Sequence, residues 1–547
     1  MFLKRTILSD VIENTEGLKI VYDDVAPYAK EHSWPQVADE EIPSLKRDDM
    51  TYPGYSICAP RFAVLNGEYI NFPDNASDYG YISNELSGED KLFSPSNSNP
   101  ELTILFSEKF TSVGVLITFN LLSGDYCTRI YVKWFSEGAL LSAMEFAPDS
   151  TKYFCNNYVQ AYDKIVITFF ETSKPLRPVF VTRLDYGIYR EFFGDEIKEV
   201  SCLQEINAIS ESVSTNTMTF TARTRSSIPF DFQKKQKLNL FFNGHRLGSF
   251  YLKNGARKNK TDYHMDTHDA IGVLDGSEYY GGIYTGQQLG AVLEELFKGE
   301  DFTYLLDASL SNIPMYGHIP YTTKHNALVQ LAFAVGAVVD TSNYDGVLIY
   351  PQQEEISGRF ESDDIFDGLT LEHNDVVTGV RLTVHSWRPA EEREELYNSV
   401  LIGRAEIIFS EPHHSLSITG GAIIGSNANY AVVEGTGAAV VLTGKKYNHL
   451  TSSMLRENPD IAFNKNIKEV SDATLVHSGN AQAILDRVYE YYQRAENVVG
   501  DVLLTDKTLG QVVGIDTGYD GQRTGTLESI NYQFSQREIR AEVKIHE

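Results

Sequence analysis

The strongest constraint on this chain is a set of short runs of β-branched and aromatic residues, divided by turn residues, with no helical period between them. Between about 51 and 187 these runs are Val113–Phe119, Arg129–Phe135, Lys164–Phe170 and Val179–Leu184. Within the second, Ile130, Val132 and Trp134 share one face while Tyr131 and Lys133 take the other, because successive side chains of a strand alternate. Leu122–Asp125 and Ala147–Ser150 supply turn residues between runs. Short strands spaced by turns predict an antiparallel sandwich over 51–187. Residues 1–50 are mixed and polar, with acidic Asp39–Glu41 and charged Lys46–Asp49, and predict an N-terminal arm.

The next block, 188–275, continues the β pattern. Met218, Phe220 and Ala222 alternate, and Asn243-Gly244 divides the apolar run Leu238–Leu252. That dipeptide is the strongest short hairpin signal, since both positions of a type I′ turn need positive φ. A small barrel or strongly bent sheet is expected here.

At 276–356 the period changes. Thr285-Gly-Gln-Gln288 reads as a capping box, followed by Leu289, Val292, Leu293 and Leu296 at helical spacing, with Gly299 as the stop. A second helix is expected from near Thr323 to Gly336, burying Leu328, Leu331, Ala332 and Val335. A hairpin of Ala337–Thr341 and Val347–Tyr350 follows, so this block predicts a small α+β part.

The last block, 357–547, returns to strands: Thr378–Val384, Leu401–Phe409 and Tyr430–Val433, expected as separate elements. One helix interrupts them, with Ser478 as N-cap and Ala481, Ile484, Leu485, Val488, Tyr491, Tyr492 and Ala495 as its apolar stripe. A three-strand meander of Gly510–Asp516, Gly525–Tyr532 and Ile539–Ile545 then closes a second barrel-like domain. The fold class is therefore mainly β with an α+β part.

Composition narrows the function. Of 547 residues, 42% are hydrophobic and 22% charged, which suits a soluble globular protein. Against 47 Lys+Arg stand 75 Asp+Glu, a net charge of −28, which repels DNA phosphates and anionic lipid and argues against a nucleic-acid reader. Lys4 and Arg5 are not followed by the roughly 7–15 apolar residues of a secretory signal, because Asp10, Glu13 and Glu16 intervene. No window approaches the roughly 18 apolar residues of a membrane span. The chain is expected to be made and folded in the cytoplasm, without membrane insertion. Cys58, Cys127, Cys155 and Cys202 are too few and scattered for a disulfide framework or a zinc site, and read as small buried hydrophobes.

Few motifs carry chemistry. In a strand, His264, Asp266 and His268 would face one side, which suits a divalent metal, but no third ligand type converges and an exposed polar face is the stronger reading. His413-His414, beside Pro412, reads as a loop. Gly435-Thr-Gly-Ala-Ala lacks the third glycine and the strand–helix context of a dinucleotide loop. Asp516–Gly525 lacks the twelfth-position acid of a calcium loop and reads as a turn-rich connector. No catalytic, cofactor-binding or metal-binding residue is assigned, no cofactor is implied, and a non-enzyme is expected.

Several ordered motifs between about 190 and 547 resemble the tail hub, or tail-associated, proteins of tailed phages and phage-tail-like particles. They are Gly281–Tyr284, Leu289–Leu296, Tyr316–Thr323, Ala327–Asp340, and Asp516–Tyr519 with Arg523–Ser529. The resemblance implies two tail-tube-like β-barrel domains, 188–275 and 357–547, flanking the α+β domain at 276–356. It implies a homotrimer at the virion tail tip that contacts the tail tube, distal tail proteins, the tape measure protein, the central spike and other baseplate proteins. Residues 51–187 are more loosely similar to galactose-binding, discoidin-like jelly-roll modules, which would add contact with a host cell-wall glycan. Three copies would carry 3 × −28 = −84, and acidic residues on the bore of such a ring would let DNA pass without sticking. Two rival readings remain: a glycan-binding adhesin acting through 51–187, and a glycan-active enzyme carrying that module. The latter needs two carboxylates at fixed separation in a cleft.

Overall fold

The computed structural model describes residues 17–25, 33–36, 81–83, 86–93, 99–119, 124–224, 236–300, 302–366, 368–461, 465–494, 496–503, 507–535 and 539–547. Most of the expected N-terminal arm, Cys58 and the first 30 residues of the expected sandwich lie outside them. The chain is mostly β and divides into two compact units, Val21–Glu191 and Met1–Ile20 with Phe192–Glu547.

In the Val21–Glu191 unit the strands include β1 (Ser33–Gln36), β2 (Glu101–Phe119), β3 (Cys127–Ser136), β4 (Ala139–Phe146), β5 (Lys152–Thr172) and β6 (Phe180–Phe193). All pairings among them are antiparallel. β5 runs along β2 and β3, β4 edges β3, and β1 and β6 take the first and second parts of β2. The predicted alternation in β3 holds: Ile130, Val132 and Trp134 are buried, while Tyr131 and Lys133 are half-buried. They pack with Phe119, Tyr162 and Phe169 in one core, where each large apolar side chain contributes about 1.5–3 kcal/mol. Gly114 is required by close approach, since a Cβ there would lie 2.4 Å from the Cys155 carbonyl oxygen.

The second unit begins with β7 (Ile197–Glu205), β8 (Thr217–Arg223), β9 (Lys237–Phe242), β10 (His245–Arg257) and β11 (Asp262–His268). They pair antiparallel as β7–β8–β11–β10–β9. The turn joining β9 and β10 holds Asn243 at φ 49° and Gly244 at φ 81°, the geometry the dipeptide predicts.

The α+β part comprises α1 (Ala270–Leu274), β12 (Gly282–Gln288), α2 (Leu289–Phe297), β13 (Thr303–Leu306), β14 (Pro314–Ile319), α3 (Lys324–Val335), β15 (Ala337–Asp340) and β16 (Gly346–Pro351). α3 starts and stops as expected. The Thr323 side chain accepts from the Asn326 N–H, and Gly336 ends the helix at φ 71°. Leu328, Leu331 and Ala332 are buried, whereas Val335 is only partly so. The capping box is not formed. Thr285–Gln288 lies in β12, paired with β14, and Gln288 caps α2 without a side-chain hydrogen bond. Inter-strand hydrogen bonds hold that stretch extended, and Gln287 instead accepts the Thr285 N–H.

The remaining chain departs most from expectation. Thr378–Val384 and Leu401–Phe409 are not separate strands: 379–408 form one 30-residue strand, β17 (Gly379–Ile408). After β18 (His413–Thr419) and β19 (Gly421–Ser426) comes the 28-residue β20 (Tyr430–Glu457), of which Tyr430–Val433 is only the start. β20 pairs with β17 from Gly379↔Glu457 to Ile408↔Tyr430, and with β18 and β19 on its other edge. β21 (Ile467–Val470) runs parallel to the first residues of β17. α4 (Ala481–Gln493) buries Ala481, Ile484, Leu485 and Val488 as read from its stripe. Its N-cap is Asn480 and not Ser478, and the Asn480 carboxamide accepts from the His477 N–H and donates to the Leu475 carbonyl. Ala495 lies outside the described residues.

β22 (Glu496–Val502), β23 (Val512–Asp516), β24 (Gln522–Ser535) and β25 (Ile539–His546) follow. The predicted meander is present as β23–β24–β25, and β22 joins β25. β24 also pairs with β7, so one sheet combines strands from the 188–275 and 357–547 blocks.

Candidate functional site

β8 and β11 place Thr221 and His264 directly opposite one another, and Asp266 lies on the same face two residues on. His264 Nδ1 is 3.1 Å from Thr221 Oγ1, and its Nε2 is 3.3 Å from Asp266 Oδ1. With Glu199, Thr219, Gln533 and Arg540, Thr221 and His264 line a cavity of about 310 Å³. The row looks like a hydroxyl–imidazole–carboxylate relay. However, the single Thr221 hydroxyl hydrogen goes to Glu199 Oε1 at 2.9 Å, so His264 does not receive it and no activated nucleophile results. His268 turns away to the Asp269 carbonyl oxygen, 3.0 Å distant. Among the described residues, no group of three or more His, Cys, Asp or Glu could hold a metal ion.

The other motifs resolve structurally. His413-His414 is not a loop but the start of β18, fixed by pairing with Lys446 and Lys445 of β20. His413 is buried, its Nε2 2.6 Å from Glu394 Oε1. Gly435 lies inside β20 between Gly403 and Gly421 of the flanking strands, so the Gly435-Thr-Gly run meets no helix. Asp516–Gly525 spans a tight turn in which Thr517 N–H donates to the Gly521 carbonyl and Gly518 N–H to Asp516 Oδ1. Cys127, Cys155 and Cys202 are buried free thiols, and burial pushes each well above the usual thiol range. Among the described residues, no helix is long and apolar enough to cross a membrane.

The feature that sequence reasoning missed is the long sheet β17–β20–β18/β19. One face packs Val433, Val440 and Leu442 against Leu401, Ala405 and Ile407. The other face is open and partly apolar: Ile402 is 83% exposed and Val400 65%, with Ile408 and Ile424 also exposed. An exposed ion pair, Arg404–Glu434 at 3.2 Å, crosses it. Among the described residues no strand pairs with the outer edge of β17 beyond Leu382. The available signal was alternation in Ser399–Ile408 and Tyr430–Val433, which continues across Gly403 and Gly435 where glycine suggests a break.

No protein-family model and no curated protein matches this chain. Among solved structures, it is similar to the tail protein from Neisseria meningitidis MC58, at 10% identity and TM-score 0.43, over 65% of this chain and 94% of that one. The prophage MuSo2 43 kDa tail protein from Shewanella oneidensis is similar at 8% identity and TM-score 0.41, over 65% and 94%. The prophage tail protein gp18 from Listeria monocytogenes EGD-e is similar at 13% identity and TM-score 0.39, over 65% and 91%.

Proposed function

We propose that this chain is a non-catalytic structural hub of a phage or phage-tail-like particle. In this reading three copies form a ring at the tail tip, joining the tail tube to the central spike and the surrounding baseplate proteins. The observation that carries it is the long sheet, whose exposed Val400, Ile402, Ile408 and Ile424, and whose β17 edge left unpaired beyond Leu382 among the described residues, fit burial by another copy. The ordered motifs from Gly281 to Ser529 point the same way, because they fall in the α+β part and in the closing strands β23 and β24. Distal tail proteins and the tape measure protein are the further partners of such a hub. A glycan-bearing cell wall is a further contact for the Val21–Glu191 unit.

The mass of the purified chain in solution tests the proposal. A trimer of three 61.4 kDa chains has a mass of about 184 kDa. A chain that stays monomeric at all concentrations, and that is missing from tail tips when particles are imaged, overturns it.

A further inference from the structure

The root of the long sheet carries a cluster of rings that the hub reading does not use. Trp387 of β17 stacks on His449, its cross-strand partner on β20, with centroids 3.9 Å apart and planes 2° apart. His318 of β14 meets the same indole edge-on at 4.6 Å. His385, on the same face as Trp387, stacks on His449 and sets its Nδ1 2.8 Å from His449 Nε2.

The partners assign the protons. His385 Nε2 is 3.1 Å from the Ser471 carbonyl oxygen, which can only accept, so that nitrogen carries the hydrogen. The Nδ1 of neutral His385 is then bare and accepts from His449 Nε2–H. The Asn429 side-chain amide donates to the carbonyls of Tyr280 and Ile319 at 2.7 and 2.8 Å. Its Oδ1 therefore accepts from His318 Nε2 at 2.8 Å. Through these bonds and the Asn427 donation to the Gly281 carbonyl, the neutral cluster ties β14 and the start of β20 together.

Charge does not fit there twice. Burial pushes His318 down to about 4 and lowers His385 and His449 as well; the mutual repulsion of His385 and His449 adds to the shift at His385. Asp472 facing His385 and Glu411 facing His449 oppose this. A first proton has a place on His449 Nδ1, over the Trp387 ring. A second must go to His385 Nδ1, which would set two N–H groups against each other across a gap that holds one hydrogen.

We propose that His318, His385, Trp387 and His449 form an acid-released clasp. When neutral, it pins the root of the long sheet to the α+β part; when the His385–His449 pair takes a second proton, His449 leaves the indole and β14 parts from β17. The inference stands on contacts within one chain and is independent of the hub reading.

Hydrogen exchange of the full chain tests it, comparing amides 314–319 and 427–431 at about pH 7.5 and about pH 5 after correction for intrinsic rates. Protection is expected to fall on acidification at least about tenfold further in the native chain than in His449→Gln, whose carboxamide still donates but does not titrate, while the His318 share is common to both. No fall in the native chain, or an equal fall in both, overturns the proposal. Should His449→Gln not fold, histidine ring resonances of the native chain decide. His385 and His449 must titrate below the ordinary range near 6.5, and ordinary titration of both overturns the clasp.

Discussion

The Val21–Glu191 unit and the long β17–β20 sheet are built from the same kinds of residue, yet they handle apolar surface in opposite ways. In the first unit Ile130, Val132 and Trp134 of β3 close onto Phe119 and Phe169 in a core of 21 buried residues. In the outer part of the second, five buried residues, Phe409, Ala431, Val433, Val440 and Leu442, form a small core, while the root buries Val380, Leu382 and Val384 with α4, and the far face of the outer part leaves Val400 and Ile402 in water. Alternation along a strand says that two faces differ but not whether a second layer covers each of them. The first unit carries a large core of its own.

The largest expected effect breaks the core of the first unit. Trp134→Ala empties a fully buried site and should cost about 3–5 kcal/mol, measured by hydrogen exchange of β3 and β5 because the two units need not unfold together. Acid should separate the regions next. His318 is held below its unfolded value of 6.5, so its contribution is fully present above pH 6.5 and is lost as pH falls towards about 4. The root of the long sheet should therefore lose up to about 3 kcal/mol over that range, read as a falling denaturation midpoint for its amides. Tyr162, pushed up to about 12 by burial, and the buried thiols of the first unit stay neutral throughout, so that core should not follow.

Gly114→Ala forces a Cβ against the Cys155 carbonyl and should cost about 1–3 kcal/mol by the same exchange measurement. In the open sheet, Ile402→Asp should leave monomer stability within about 0.5 kcal/mol yet weaken self-association about tenfold, seen by sedimentation. A monomer destabilised as much as by Trp134→Ala would erase the contrast between the two regions. The smallest effect is expected from Arg404→Ala, which removes an exposed ion pair and should change thermal stability by less than about 0.5 kcal/mol.

Much of the fold was legible because it rests on local chemistry. Asn243-Gly244 supplies the positive φ of its hairpin turn, Thr323 and Gly336 bound α3, and the stripe from Ala481 to Val488 gives α4 its buried face. Where local signals failed, a distant strand had decided. Thr285–Gln288 has the residues of a capping box but lies against Pro314–Ile319, and His413-His414 follows a proline yet pairs with β20. The His264, Asp266 and His268 row was visible as a period of two, but its chemistry turned on Glu199, 65 residues earlier, which takes the Thr221 hydroxyl hydrogen. The cluster at the root of the long sheet was not visible at all, because His318, Trp387 and His449 share no local pattern.

By itself the sequence located β3, the β9–β10 hairpin, α2, α3, α4 and the closing β23–β25 meander, and it set the charge balance at −28. These follow from side-chain shape, backbone freedom and charge, which each residue carries with it. Only the tertiary structure decided that 379–408 is one strand and that β24 joins β7. It alone left one face of the long sheet open and set two histidines against one indole with a third against His449. Those outcomes depend on which surfaces meet, and the free energy of burial and pairing belongs to both partners of a contact.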